Sequence, residues 1–388
     1  MSAAHKADAS ELATISIMRI VILSAWQFLP PFCGTRRTVY DTASDLGKLG
    51  HQVLLLITNS GKGFRSINFE CKVIKTNSAL LEGFFLLGRA ANRTLPSIWG
   101  PFANILRTNI VAASALPRIQ SEVQFFRPDV ILAEDPYVAS VASRISRRLR
   151  IPLVYRVHHL YSSQHSSLIG LSSHWEFSIL RQANRLVTFT VADQRLLRNK
   201  FGLDSEYVPI EPNPLPKNKP ESREAQGYAL YVSSYLGEEK EWIVALAENH
   251  PEIPILFAGM GSKTTTALPS NVIRVGIVSE AELSKLYDGC SFIFFPLAWR
   301  PGQGIPIKLL EALRTDKPIL MNSRSSWLLP SETSGVFSFV EESDMNLIAR
   351  MLSTSNATYR RAETTLGFAS CSFDLEQVLE ASQLQRPS

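Results

Sequence analysis

Residues 302–313 read Gly302-Gln303-Gly304-Ile305-Pro306-Ile307-Lys308-Leu309-Leu310-Glu311-Ala312-Leu313 and follow closely on the apolar run Phe292-Ile293-Phe294-Phe295-Pro296. The apolar run ends at a proline and predicts a buried parallel strand. The glycines predict a loop, and the residues after Pro306 predict a helix. In this order of strand, loop and helix, N–H groups at the helix start point to the carboxyl edge of the sheet, where anions bind.

Lys308 and Glu311 are three residues apart, so a helix carries them on one face. A cation beside a carboxylate suits a ligand that bears both phosphate and hydroxyl groups. A nucleotide sugar is such a ligand. The segment therefore predicts a nucleotide-sugar site at the carboxyl edge of a parallel sheet.

The rest of the chain predicts two such sheets. Its 388 residues are too many for one ordinary core. Strand-like apolar runs separated by helical stretches recur before residue 206 and again after residue 227, which is typical of parallel α/β domains. Five prolines between residues 206 and 227 predict a semi-rigid linker. The predicted fold is thus two tandem Rossmann-like parallel-sheet domains that face a cleft.

We divide the chain accordingly. Residues 1–15 are expected to form a disordered tail, residues 16–205 the first domain and residues 206–227 the linker. Residues 228–365 are expected to form the second domain, and residues 366–388 a helix that returns to the first.

Charge is divided unevenly between the two halves. Residues 1–204 contain 24 Lys and Arg against 13 Asp and Glu, a net charge of +11 that leaves −6 for the remainder. A basic first half fits an anionic acceptor, an anionic membrane surface or simply a solvated basic face. Residues 79–120 fit either amphipathic helices on a bilayer interface or helical insertions packed on the first domain.

The four scattered cysteines, Cys33, Cys71, Cys290 and Cys371, have no metal-ligand spacing and fit a reducing cytosol. The apolar run at residues 20–23 is too short for a signal core or a membrane span. We therefore expect a cytoplasmic protein, either free or peripheral on the inner face of the membrane.

The two domains, the loop Pro30-Pro31-Phe32-Cys33-Gly34 and the late Gly-x-Gly-Ile-Pro-x-Lys-x-x-Glu motif together resemble family 4 glycosyltransferases of the glycosyltransferase B (GT-B) fold. The resemblance extends over about residues 16–385. It implies that the first domain binds a polysaccharide, lipid-linked or small-molecule acceptor and that the second binds a nucleoside diphosphate sugar. It also implies transfer with retention of configuration. No Asp-x-Asp is present, and we expect no metal and no cofactor.

The same resemblance assigns residues to the site. His158 would contact the transferred sugar, with His159 as the alternative, and Glu311 would accept hydrogen bonds from the ribose. Lys308 would stabilise the diphosphate, assisted by Lys240. The remaining positions expected to bind the donor are Gly34, Thr35, Gly259, Gly261, Gly276, Gly302, Gln303, Gly304, Ile305 and Pro306.

The chain departs from the family pattern at two points. Many members have two glutamates eight positions apart, but Gln303 stands eight positions before Glu311, as in a family variant with Gly-x-Gly and an added lysine. The arginine that usually accompanies the lysine of the second domain is replaced by Ser233 or Ser234.

Because the first glutamate and the arginine of the family pattern are missing, two alternatives to a glycosyltransferase remain. The first is a catalytically silent homologue that binds a partner, and the second is a sugar-nucleotide epimerase. Nucleic acid is not an expected partner, because the basic half lacks a recognition motif.

Overall fold

The structure is a computed structural model that describes residues 17–24, 34–58, 64–65, 69–74, 114–134, 136–164, 169–209, 227–233, 239–259, 267–329 and 335–354, with 375, 377–379 and 381. The tail at 1–15, the segment 79–113, most of the linker and Gly261 lie outside this part of the chain.

The first sheet contains eight strands in the order β3-β4-β2-β1-β5-β6-β7-β8, all parallel except the short β3. Its strands are β1 (Arg19–Ser24), β2 (Gln52–Ile57), β3 (Phe64–Arg65), β4 (Glu70–Val73), β5 (Val130–Ala133), β6 (Leu153–Val157), β7 (Arg185–Thr188) and β8 (Glu206–Tyr207).

The second sheet contains six parallel strands in the order β11-β10-β9-β12-β13-β14. They are β9 (Ala229–Val232), β10 (Ile255–Ala258), β11 (Val272–Gly276), β12 (Phe292–Phe295), β13 (Ile319–Asn322) and β14 (Val336–Phe339). The two-domain α/β architecture predicted from the sequence is confirmed.

Helices occupy most of the crossover connections between the parallel strands. They are α1 (Gly34–Lys48), α2 (114–126), α3 (Pro136–Leu149), α4 (Tyr161–Gln164), α5 (Ile169–Leu180), α6 (Val191–Phe201), α7 (Lys240–Asn249), α8 (Glu280–Gly289), α9 (Ile307–Leu313) and α10 (Glu342–Thr354), with a 3₁₀ turn at Ser323–Leu328.

Successive side chains of each central strand point to opposite faces of the first sheet. Val21 and Leu23 pack in one cluster, whereas Ile20 and Ile22 pack in the other. The second cluster also contains Leu375, Val378 and Leu379, from the segment expected to return to the first domain.

Some strands have no counterpart in the sequence analysis. β3, β4 and β14 were not expected, and β8 lies in the stretch expected to begin the linker. Glu206 and Tyr207 pair in parallel with Val187 and Thr188 of β7, so the first sheet extends two residues into that stretch.

Candidate active site

Three ionisable side chains meet at the carboxyl edge of the first sheet. Glu134 follows β5, Arg156 is in β6 and His158 follows β6. Glu134 Oε1 accepts a hydrogen bond from Arg156 at 2.9 Å, and Glu134 Oε2 lies 2.8 Å from His158 Nε2. All three are buried, at 0%, 2% and 5% exposure. Buried charge of this kind persists only when it is paired.

The pairing fixes which groups are ionised. Burial favours the neutral form of Glu134, but Arg156 and His158 outweigh it and hold the pKa of this carboxyl below its ordinary value. Burial lowers the pKa of His158, against the opposing effect of Glu134. Since the carboxylate is ionised, the neutral imidazole donates from Nε2 and keeps a lone pair on Nδ1.

The Arg156 guanidinium is held by two further contacts. It donates to Thr42 Oγ1 of α1 at 2.7 Å and lies 5.0 Å from the ring centroid of Phe189, which follows β7. The same Phe189 ring lies 4.8 Å from the His158 ring. Phe189 also packs in a hydrophobic cluster of the second domain. The buried charges thus adjoin the junction between the domains.

His159 joins the two domains directly. Its Nδ1 lies 2.9 Å from the carbonyl oxygen of Gln303, so Nδ1 carries the hydrogen and Nε2 keeps its lone pair. Burial and the neighbouring His158 lower the pKa of His159 to about 4. The ring is therefore neutral near pH 7.

The glycine loop packs its backbone against the first domain. The carbonyl of Gly302 accepts the Leu160 N–H at 2.7 Å. A Cβ on Gly304 would collide with the carbonyl oxygen of His158, and one on Gly302 would come within 2.6 Å of the Ser163 side chain. Both glycines have positive φ, at 92° and 71°. Glycine is needed here because the chain is left-handed and two backbones touch.

Asp193 fastens the same loop from α6. Its Oδ1 accepts the Gly302 N–H at 2.6 Å, while its backbone N–H donates to the capping Thr190 hydroxyl at 2.9 Å. The side chain is 2% exposed, and burial raises its pKa. One carboxylate thus connects the start of a first-domain helix to a second-domain loop.

Two tryptophans position the loop within the second domain. Trp299 donates from its indole N–H to the carbonyl of Gly304 at 2.9 Å, and Trp327 donates in the same way to the carbonyl of Trp299 at 2.9 Å. Ser325 accepts the backbone N–H of Trp299 at 2.7 Å. The loop is therefore held on both sides.

The next residues of the motif, from Pro306 onward, form the start of α9. Pro306 occupies the N-cap position with extended backbone. Lys308 is half-buried and Glu311 is 6% exposed. Both lie within two turns of the loop that contacts His158 and His159. The structure thus brings Gly302, Gln303 and Gly304 against the two histidines, and Lys308 and Glu311 follow this loop on α9.

Glycine turns end two neighbouring strands of the second sheet. Gly259 follows β10 with φ 97°, and its N–H donates to the carbonyl of Gly276 at 2.6 Å. A Cβ on Gly259 would come within 2.8 Å of the carbonyl oxygen of Ser233, which follows β9. These residues lie at the carboxyl edge that also leads into residues 302–311.

The structure describes only some of the other residues that were expected to bind the donor. Gly34 and Thr35 begin α1, and Lys240 is the first residue of α7. Gly261 lies outside the described residues.

Glu134, Arg156, Phe189 and Asp193 were missed by the sequence analysis. Glu134 carried a usable signal, because it directly follows a buried strand of a parallel sheet. Arg156 gave no such signal. An arginine within an apolar strand argues against burial of that strand until its carboxylate partner is known.

Two kinds of feature are absent from the described residues. They contain no group of three His, Cys, Asp or Glu side chains that could hold a metal ion. No helix within them has the length and apolar character needed to cross a bilayer.

The model of Glycosyltransferase Family 4 matches residues 32–217. No curated protein sequence matches the chain.

Solved structures match nearly the whole chain. Sucrose-phosphate synthase from Thermosynechococcus elongatus is 14% identical with a TM-score of 0.65, covering 95% of this chain and 97% of that one. The Anabaena protein HepE in complex with UDP-glucose is 15% identical with a TM-score of 0.61, covering 95% and 98%. The spinosyn forosaminyltransferase SpnP is 14% identical with a TM-score of 0.50, covering 96% of each chain. At these identities the likeness shows a shared fold.

Proposed function

We propose that this chain is a glycosyltransferase that moves a hexose from a nucleoside diphosphate sugar to an acceptor on the first domain. The match of the family 4 model to residues 32–217 and the fold shared with sucrose-phosphate synthase support this proposal. The observation that carries the proposal is the contact between the two sheet edges. Gln303 bonds to His159, Gly302 bonds to Leu160, and Lys308 and Glu311 follow within nine residues.

The diphosphate of the donor is assigned to the loop and the start of α9. Backbone N–H groups there and the half-buried Lys308 ammonium supply positive potential near the place where a leaving diphosphate accumulates charge. This stabilisation uses no metal. The buried Glu311 carboxylate is assigned to the ribose hydroxyls, as in the family resemblance, since a carboxylate accepts two hydrogen bonds.

The transferred sugar is assigned to the histidines. Both rings are neutral, and each keeps one lone pair after its contact with Glu134 or Gln303. A neutral imidazole that already donates on one side can accept from a sugar hydroxyl on the other. Glu134 then acts as a positioning residue, because it fixes the tautomer of His158. Retention of anomeric configuration is proposed on the family resemblance.

The acceptor is proposed to be a polysaccharide, a lipid-linked sugar or a small glycoside. The net charge of +11 over residues 1–204 favours an anionic acceptor or an anionic membrane face beside that domain. A peripheral position on the inner membrane face would serve synthesis of a polysaccharide on a lipid carrier.

Turnover of a donor panel tests the proposal. Purified protein is incubated with UDP-, GDP- and ADP-sugars, beginning with UDP-glucose because the HepE structure contains it, and release of the nucleoside diphosphate is measured. One donor should be preferred, and Lys308→Ala and Glu311→Ala should each lose at least about 100-fold in kcat/KM.

Lys285→Ala is the matched control. Lys285 is exposed on α8 of the same domain and carries the same charge, so its loss should change kcat/KM by less than about twofold. Absence of turnover and of binding for every nucleotide would refute the proposal. Formation of an epimerised sugar nucleotide without acceptor would identify an epimerase instead.

A further inference from the structure

Two arginines at the opposite edge of the first sheet adopt a backbone conformation that arginine rarely adopts. Arg127 has φ 52° and Arg150 has φ 56°, and they are the non-glycine residues with positive φ in the described chain. Each directly follows a helix, α2 or α3, and precedes the next strand. At this position the left-handed conformation is usually filled by glycine, sometimes by asparagine.

The left-handed conformation ends each helix, because the Arg127 N–H and the Ile151 N–H close the capping hydrogen bonds at 2.9 and 3.0 Å. What the fold does not require at these two positions is an arginine. Glycine would make both turns without a steric cost. Positive charge at the end of α3 is already supplied by Arg147 and Arg148 in its last turn. An arginine held in strained backbone, where glycine would serve the fold better, is a pointer to function.

Both arginines line one cavity of about 390 Å³. Neither guanidinium has a hydrogen bond or an ion pair with another described residue. The remaining lining includes Leu149, Ile151 and the carboxylate of Asp129. Asp129 Oδ2 accepts the Arg19 N–H at 2.8 Å, so one carboxylate of the cavity is already engaged by the backbone of β1.

We propose that Arg127 and Arg150 bind the phosphate group of an anionic ligand in this cavity. Two planar guanidinium groups match the oxygens of one phosphate, and charge-assisted hydrogen bonds of this kind are strong. The apolar part of the lining suits the group that the phosphate carries. The cavity lies at the amino ends of β5 and β6, whereas Glu134 and His158 follow their carboxyl ends, roughly 15 Å away along the strands. The site is thus separate from the donor region.

The phosphate has two plausible sources, a soluble phosphate ester and a phospholipid headgroup. The surface around the cavity fits both. Arg144 and Arg147 are exposed on α3, and Phe125 at the end of α2 is 82% exposed. An exposed aromatic ring beside basic residues fits a lipid interface, while the cavity itself fits a soluble ester.

Binding of two probes tests the proposal. Inorganic phosphate is titrated into the full chain by calorimetry, and cosedimentation is measured with phosphatidylcholine vesicles with and without phosphatidic acid. The test variant Arg127→Gly/Arg150→Gly keeps the left-handed turns without strain. The control Arg144→Gln/Arg147→Gln removes the same charge from exposed positions outside the cavity lining.

The glycine variant should lose at least about tenfold in affinity for whichever probe binds, because charged hydrogen bonds are lost. The control should stay within about threefold. The binding that the glycine variant loses should persist in Lys308→Ala, which separates this site from the donor region. The glycine variant should also unfold about 2 °C or more above the wild type, since strain is relieved. Should it fail to fold, Arg127→Asn/Arg150→Asn provides the same test, because asparagine tolerates the conformation.

Binding of free phosphate identifies a soluble ester, and binding of phosphatidic acid vesicles alone identifies a headgroup. Either supports the proposal if the glycine variant loses it. The proposal is overturned if neither probe binds the wild type, or if the glycine variant and the control lose affinity equally. Neither result depends on donor turnover, so the proposed transferase activity stands or falls separately.

Discussion

The two sheet edges that meet at the junction are built in opposite ways. On the first edge, Glu134, Arg156 and His158 are buried charged or titratable side chains that satisfy one another. On the second edge, Gly302 and Gly304 bring bare backbone against the first domain. Contacts between charged groups thus stabilise the first edge, whereas the second edge packs closely because its glycines have no side chains. A change of charge should damage the first edge, whereas added volume should damage the second.

The charge network should give the largest effect. Glu134→Ala leaves the buried Arg156 guanidinium without its carboxylate, which should cost about 3–5 kcal/mol in the free energy of unfolding. The measurement is urea unfolding of the full chain. Glu206→Ala is the control, because its ion pair with Arg185 is partly exposed, at 36% and 28%, and its loss should cost no more than about 1 kcal/mol. Equal losses would show that the Glu134 network is not the stronger one.

Acid should weaken the junction through His159. Its pKa is about 4 in the folded chain against an ordinary 6.5, so the unfolded chain binds a proton that the folded chain does not. The stabilisation is complete above pH 6.5 and is lost as the pH falls from there to about 4. The loss is on the order of 3 kcal/mol.

His159→Gln tests this pH dependence because glutamine does not titrate. Unfolding of the variant and of the wild type is compared at neutral pH and near the lower end of the window. The wild type should lose more stability on acidification than the variant. Identical losses would contradict a half-buried, neutral His159.

Added volume at Gly304 tests the second edge. Gly304→Ala places a methyl group against the His158 carbonyl, so the loop should move by about 1 Å and kcat/KM for the preferred donor should fall about 100-fold. Gly50→Ala is the control, since Gly50 has φ 95° but open space around its Cβ position. It should lose about 1 kcal/mol of stability and keep its kcat/KM. Full activity of Gly304→Ala would show that close packing of the loop is not required.

Asp193 should give the smallest effect. Asp193→Ala removes the acceptor of the Gly302 N–H, which should cost about 1–2 kcal/mol and raise KM for the donor about fivefold. Asp193→Asn keeps an acceptor oxygen and should retain most of the affinity. If both variants behave alike, the hydrogen bond does not hold the loop.

Buried strands that recur along the chain, and short motifs formed by neighbouring residues, could be predicted from the sequence. The strand runs at 20–23, 53–57 and 292–295 are apolar on both faces, and this pattern is enough to predict buried parallel strands. Gly302 and Gly304 were recognised because two glycines before a helix form a local motif. β3 and β8 were missed because each has two residues, too few for any periodicity.

The partnerships across the fold could not be predicted in the same way. Glu134 and Arg156 are 22 residues apart, and Asp193 and Gly302 are 109 apart. Nothing local to either residue shows which strand end or loop will be its neighbour. The resemblance placed a histidine at residue 158 or 159, but only the contacts to Glu134 and Gln303 show how differently the two rings are held.

Hydrogen exchange with the preferred donor tests the central claim most directly, which is that the donor binds where the glycine loop meets the first domain. Saturation with the nucleoside diphosphate sugar should slow exchange of the backbone amides at 302–311 and, in the same experiment, at 157–160. Protection of neither segment, with slowing confined to other parts of the chain, would contradict the account.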